Sequence, residues 1–131
     1  MLLSGNRWFS DKPLVWTLPG GRSENGEGVE QTVIREFLEE TGLNVEVVDL
    51  AYVAEARSGV NKRIYLTCAF TVRLLSGNLT CVGDSAVEEL RFVEANELSS
   101  YIPGPSLGDP LRAYLVDTGR RVRYWFFPEY E

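Results

Sequence analysis

The sequence predicts an α+β layered domain, with helices on both sides of a mixed sheet. Two long alternating segments read as strands, and two compact helical segments stand apart in the chain with loop signals around them. A short strand, a glycine-rich loop and a helix also follow one another directly near the N-terminus. The chain of 131 residues fits one domain.

The elements follow in order. "LVWTL" (Leu14 to Leu18) reads as a strand. "PGGRSENGEG" is a loop with strong turn chemistry. A helix is expected from Val29 to Thr41, with Gly28 as its N-cap and Gly42 just past its end. Its apolar side carries Val33, Ile34, Phe37 and Leu38. Val45 to Ala56 is a strand, with a turn near Ser58 and Gly59. In "IYLTCAFTVRLL", Ile64, Leu66, Cys68, Phe70, Val72 and Leu74 fall on one strand face. "SGN" (Ser76 to Asn78) signals a hairpin. Glu89 to Val93 reads as a strand, and Asn96 to Tyr101 as a short helix. Asp109 and Pro110 predict a helix start as cap and first-turn proline, with Gly119 at its end. "RVRYWFF" reads as the last strand.

Composition narrows the function classes. Hydrophobic content is 44%, as in ordinary globular domains. "MLLSGNRWFS" has no apolar run of signal-peptide type, and no segment reaches membrane-spanning length. A cytoplasmic protein with no membrane partner is expected. Cys68 and Cys81 sit in no metal-ligand spacing and read as free thiols. The chain has no histidine, which removes histidine bases, histidine metal ligands and Ser-His or Cys-His pairs. Chemistry must rest on carboxylates, arginines, hydroxyls or a bound ion.

Charge is concentrated. The net charge is −6, and the segment from Glu24 to Glu40 alone holds six acids against one base, Arg35. The rest of the chain is nearly neutral, so duplex nucleic acid is a poor partner. In "REFLEETGL" (Arg35 to Leu43), helical spacing puts Glu36, Glu39 and Glu40 on one face. Such a run is usually a solvated helix face. Three adjacent like charges also repel, and a hard divalent cation would relieve them, since Mg²⁺ and Mn²⁺ prefer carboxylate oxygens. Arg35 lies four residues before Glu39 and can pair with it. The glycine-rich loop upstream brings backbone groups close to the helix start, where ions and phosphates can approach.

Read together, Gly21 to Leu43 ("GRSENGEGVEQTVIREFLEETGL") resembles a complete Nudix box. Gly21, Glu27, Arg35, Glu36, Phe37, Glu39, Glu40, Gly42 and Leu43 fill its pattern without a gap, and "WTLPGG" resembles the usual lead-in. The resemblance implies a Nudix α/β/α sandwich with a mixed sheet. It implies Mg²⁺- or Mn²⁺-dependent hydrolysis of a nucleoside diphosphate linked to another moiety. Carried onto this chain, Glu36, Glu39 and Glu40 are expected metal ligands, with the Gly20 carbonyl and Glu27 in support. Arg35 is expected to hold the glutamates in place, and Glu36 or Glu39 to act as base. Asp84, Glu88 and Glu89 in "DSAVEEL" are alternative loop bases.

Two departures from the family pattern stand out. Thr32 and Val33 are β-branched where family members commonly have small residues, which bears on how the helix seats against the sheet. The family's first strand is also missing or shortened ahead of Met1-Leu2-Leu3. A late gene start, or a partner chain completing the sheet as in a homodimer, would account for it. Substrate choice lies outside the box. "SGVN" (Ser58 to Asn61) shows neither the proline of ADP-ribose-type relatives nor the tyrosine of dinucleoside-polyphosphate types. Trp8, Tyr52, Tyr65 and Trp125 could stack on a base, with Arg57 or Arg63 on phosphate. A nucleotide-type small molecule is the expected partner. The alternatives are a non-catalytic Nudix domain that senses a nucleotide and an acidic interaction module.

Overall fold

The computed structural model describes residues 1–81, 86–117, 119 and 121–130. Among these residues, six strands and three helices are ordered β1 (Leu2–Asn6), β2 (Val15–Thr17), α1 (Val29–Thr41), β3 (Leu43–Arg57), β4 (Ile64–Gly77), β5 (Val87–Phe92), α2 (Leu98–Tyr101), α3 (Pro105–Val116) and β6 (Arg123–Tyr130). A 3₁₀ turn, Ala95–Glu97, leads into α2.

The strands form two three-stranded sheets, β2-β1-β5 and β4-β3-β6. The first is antiparallel throughout. The second is mixed: β4 runs antiparallel to β3, and β6 runs parallel to it. The predicted α+β layering with a mixed sheet is present.

β1 is the middle strand of its sheet, and all five of its residues are buried. Successive strand side chains point to opposite faces. Leu3 accordingly joins a core with Ala51, Tyr52, Leu98, Ile102 and Leu111. Leu2 joins a second core with Leu43 and Val45, against which Phe37 of α1 packs. The polar members of β1 are satisfied locally, because Asn6 Nδ2 donates to the Ser4 and Val15 carbonyls and to Thr17 Oγ1. Met1 continues the pairing, since its amine donates to the Val93 carbonyl and Val93 N–H donates back to the Met1 carbonyl.

α1 has the expected ends. Gly28 caps its start, where the Gln31 side chain accepts the Gly28 N–H at 2.9 Å. Gly42 ends it at φ 76°, a left-handed conformation that suits glycine. A side chain at Gly42 would also strike the Asn78 carbonyl, so the helix end and the end of β4 pack backbone to backbone.

Three expectations need correction. Ser76 to Asn78 is not a hairpin turn: β4 and β5 lie in different sheets, and Thr80 N–H is bonded to the Thr41 carbonyl. The helix expected at Asp109 begins at Pro105, with Gly104 as its cap, and Pro110 lies inside it. Asp109 does not cap because its carboxylate pairs with Arg112 at 2.5 Å. The alternating face of β4 is covered only in its middle. Phe70 and Val72 are half-buried, while Ile64, Leu66 and Leu74 are exposed. β4 is the edge strand of its sheet. In β3, irregularities at Val47/Asp49 and Leu50/Tyr52 break strict alternation, so neighbouring Ala51 and Tyr52 are both buried. Cys68 and Cys81 are free thiols.

Candidate active site

The acidic loop and α1 are organised around one guanidinium. Arg35 Nε donates to Glu27 Oε2 at 2.7 Å, and Arg35 Nη2 donates to Glu27 Oε1 at 3.0 Å. This is the two-pronged geometry that arginine offers a carboxylate. Arg35 Nη1 donates to Glu36 at 3.0 Å and to Glu39 at 3.1 Å, with Glu24 at 3.6 Å. Arg35 Nη2 also donates to the Arg22 carbonyl at 3.1 Å. The guanidinium therefore ties the loop to two acids of the helix. Its proton is held more firmly than usual, first by the bond to Glu27 and then by Glu36.

Glu27 is the fixed point of the loop. Thr32 Oγ donates to Glu27 Oε1 at 2.7 Å, and Glu24 N–H reaches the same oxygen at 3.2 Å. The Arg35 hydrogen bond, aided by Thr32, holds the Glu27 carboxyl down at about 2. Ser23 Oγ lies 2.7 Å from Thr32 Oγ. With the Thr32 proton committed to Glu27, Ser23 is the donor in that pair.

Glu40 is built differently. Gly20 N–H donates to one of its oxygens at 3.0 Å, and no cation pairs with it among the described residues. Burial pushes its carboxyl up to about 7, repulsion from Glu36 and Glu39 adding to the rise and the Gly20 amide opposing it. A Cβ at Gly21 would meet the Glu36 carboxylate, which would have to swing aside.

The sequence-expected residues divide into two groups. Glu27, Arg35, Glu36 and Glu39 come together in one bonded cluster, and Glu40 joins Gly20 beside it. Tyr65 also reaches the box loop, through Arg22. Others are used elsewhere. Glu88 pairs with Arg7 at 3.2 Å, and Glu89 pairs with Arg91. The Arg57 guanidinium lies 5.8 Å from the Phe126 ring centre. Arg63 closes the β3–β4 turn through its backbone, with its N–H on Asn61 and its carbonyl on Ser58. Tyr52 is buried in the core, and Trp125 stacks on Phe127. Asp84 lies outside the described residues. Thr32, Ser23 and Arg22 were not singled out as site residues, although Thr32 follows Gly28 by one helical turn, where a hydroxyl can meet loop groups.

Beside the cluster lies a cavity of about 1010 Å³. The box loop (Gly20 to Ser23), α1 (Val29, Val33) and β4 (Tyr65, Phe70) contribute to its walls. Its size suits a small organic ligand.

The donor set suits a hard divalent cation, because carboxylate oxygens of Glu36, Glu39 and Glu40 share one helix face beside backbone carbonyls of the loop. Among the described residues no three acids stand close enough to hold an ion as they are placed. Arg35 occupies one oxygen each of Glu36 and Glu39, and their other oxygens face no bonded partner among the described residues.

An acid-rich loop and helix tied by one arginine, beside a ligand-sized cavity on a helix-flanked mixed sheet, is an arrangement of the Nudix type. The family model for the NUDIX domain matches residues 2–115, and the chain belongs to that family. It is 33% identical to the mouse 8-oxo-dGDP phosphatase NUDT18 over 82% of this chain and 31% of that protein. It is 38% identical to a putative mutator protein MutT4 of Mycobacterium tuberculosis over 66% of this chain and 36% of the relative. An ADP-ribose pyrophosphatase of Methanocaldococcus jannaschii is 36% identical over 63% of this chain and 48% of its own length. The chain thus spans between about a third and about half of these relatives. Among solved structures, a NUDIX hydrolase from Nitrosomonas europaea superimposes with a TM-score of 0.79 at 22% identity, covering 92% of this chain and 82% of its own. That likeness is one of fold.

Proposed function

We propose that the chain hydrolyses a pyrophosphate bond in a nucleoside diphosphate derivative, with Mg²⁺ or Mn²⁺ as cofactor. The observation that carries this reading is the charge balance of the cluster. Among the described residues, Glu24, Glu27, Glu36 and Glu39 share Arg35 as their one cation, and Glu40 has none. Such a site is stable when more positive charge arrives, and an anionic diphosphate can follow only after that. The relatives named for ADP-ribose and 8-oxo-dGDP support a diphosphate-bearing nucleotide as substrate class.

Glu36, Glu39 and Glu40 would hold the ion, with the Gly20 carbonyl beside them. When bound, a divalent ion neutralises phosphate oxygens and lowers the pKa of water. The chain's own residues do the rest. Arg35 and Glu27 tie Glu36 and Glu39 to the loop, which limits how far their carboxylates can move. Glu39 is more than half exposed and has one oxygen on Arg35, which leaves its other oxygen for one partner at a time, the ion or the proton of the attacking water. Water attacks phosphorus, the bridging P–O bond breaks, and two phosphorylated products leave.

The test is product analysis after incubation with ADP-ribose, dGDP and 8-oxo-dGDP, with Mg²⁺, Mn²⁺ or EDTA. Cleavage abolished by EDTA supports the hydrolase. Binding without turnover supports a nucleotide sensor, and neither supports an acidic interaction module. Among the described residues no helix is long and apolar enough to cross a membrane. Pairing of two copies through an open sheet edge would appear as a dimer in sedimentation, and a monomer at all concentrations would remove that reading.

A further inference from the structure

The turn between β3 and β4 carries a hydrogen-bond arrangement whose last proton is unspent. Asn61 Oδ1 accepts the Arg63 N–H at 3.0 Å. That bond fixes the amide orientation and turns Nδ2 outward, where it donates to the Tyr65 hydroxyl at 2.6 Å. Arg22 Nη2 donates to the same hydroxyl at 3.1 Å. Neither partner can accept a proton through those atoms. The phenol oxygen is therefore the acceptor in both bonds, and its own proton meets no acceptor among the described residues.

Three further observations say what that proton meets. Tyr65 lines the same cavity as Gly20, Gly21 and Arg22. Arg22 is anchored at both ends, its carbonyl on Arg35 and its guanidinium 5.5 Å from the Tyr65 ring centre. Arg22 also has no ion pair among the described residues, although it follows directly after Gly21, which is packed against Glu36. A guanidinium that rests on a tyrosine and pairs with no carboxylate among the described residues keeps its charge for another anion. A hydroxyl that receives two hydrogen bonds, one of them from a cation, becomes a stronger donor itself. The local field favours an anionic oxygen over a neutral ring atom.

We propose that Tyr65 donates its hydroxyl proton to a non-bridging phosphate oxygen of the substrate, with Asn61 and Arg22 aiming and polarising it. Tyr65 is then a substrate-binding residue that selects for the diphosphate, on the β4 part of the cavity wall. This rests on the nucleotide-hydrolase reading above.

The experiment measures binding by calorimetry for wild type and Tyr65→Phe, in Mg²⁺. The two probes are α,β-methylene-ADP and methylenediphosphonate, which carries the same diphosphate without the nucleoside. Neither is cleaved, so binding is read apart from turnover. Tyr65→Phe is expected to weaken both by about tenfold, the scale of one hydrogen bond to a charged group, with an unchanged melting temperature. Equal affinities in the two proteins overturn the proposal. A loss confined to the nucleotide also overturns it, because the hydroxyl would then meet the nucleoside. A wild type that binds neither probe and cleaves no nucleotide overturns the hydrolase reading, and this proposal with it. A wild type that cleaves, with Tyr65→Phe binding as well as it does, removes this proposal alone.

Discussion

Two arginines thirteen residues apart meet at the box loop and do opposite things. Arg35 spends its donors on Glu27, Glu36, Glu39 and the Arg22 carbonyl. Among the described residues, the Arg22 side chain meets only Tyr65. The acids of the loop and α1 are thus tied together by internal ion pairs, whereas Arg22 of the box loop and Tyr65 of β4 keep a charge and a proton in reserve. The difference separates two tasks. A cluster that performs a fixed reaction gains from rigidity. A pair that admits a particular ligand needs groups with bonds still to make.

This contrast breaks most visibly at the reacting carboxylates. Glu39→Gln keeps the shape and removes the charge, so turnover is expected to fall by about a thousandfold with the melting temperature held. Steady-state kinetics and a thermal melt check both halves, and wild-type turnover would erase the division between the two tasks. Arg35→Lys is expected to cost roughly tenfold to a hundredfold in kcat. A lysine ammonium cannot grip Glu27 with two parallel bonds while reaching Glu36 and Glu39. The loss should fall on kcat, in contrast to the binding loss expected at Tyr65.

A third effect concerns protons and metal. The Glu40 carboxyl sits near 7, raised chiefly by burial. Below that pH the neutral acid is favoured, so a cation must displace a proton. Mg²⁺ affinity is therefore expected to rise by about tenfold per pH unit up to about pH 7 and to level off above it. Calorimetry at pH 5.5, 6.5 and 7.5 tests the sign, and Glu40→Gln should flatten the profile. The smallest effect is expected at Thr32→Val, which removes the hydroxyl between Glu27 and Ser23. It should lower stability by about 1–2 kcal/mol, read in a denaturant melt, and change kcat by no more than about threefold.

The same contrast explains what was legible in the sequence. The bounds of α1 were readable because glycines mark both ends and the apolar stripe has helical period. Its acids were readable because their spacing is local, within a single helix face. Thr32 was read as a packing oddity. Its use became visible only once the loop folded back and placed Glu27 against its hydroxyl. The start of α3 was misplaced because Asp109-Pro110 and Gly104-Pro105 both look like helix starts. Choosing between them needs Arg112, which draws the Asp109 carboxylate away from the backbone. Tyr65 could be nominated from composition but not explained. Its partners Arg22 and Asn61 come from separate loops, and only the folded sheet brings them to one oxygen. The crossover after β4 was hidden because Ser76 to Asn78 has ordinary turn chemistry, and local chemistry does not say which sheet the next strand enters.

β1 places Leu2 in the core beside α1 and Leu3 in the core beside α2 and α3. One strand thereby belongs to both layers, and neither can open without disturbing the other. The domain should lose its structure in a single step. Amide exchange in the centres of α1 and α3 should then report the same opening free energy, which makes the reacting helix as durable as the molecule around it.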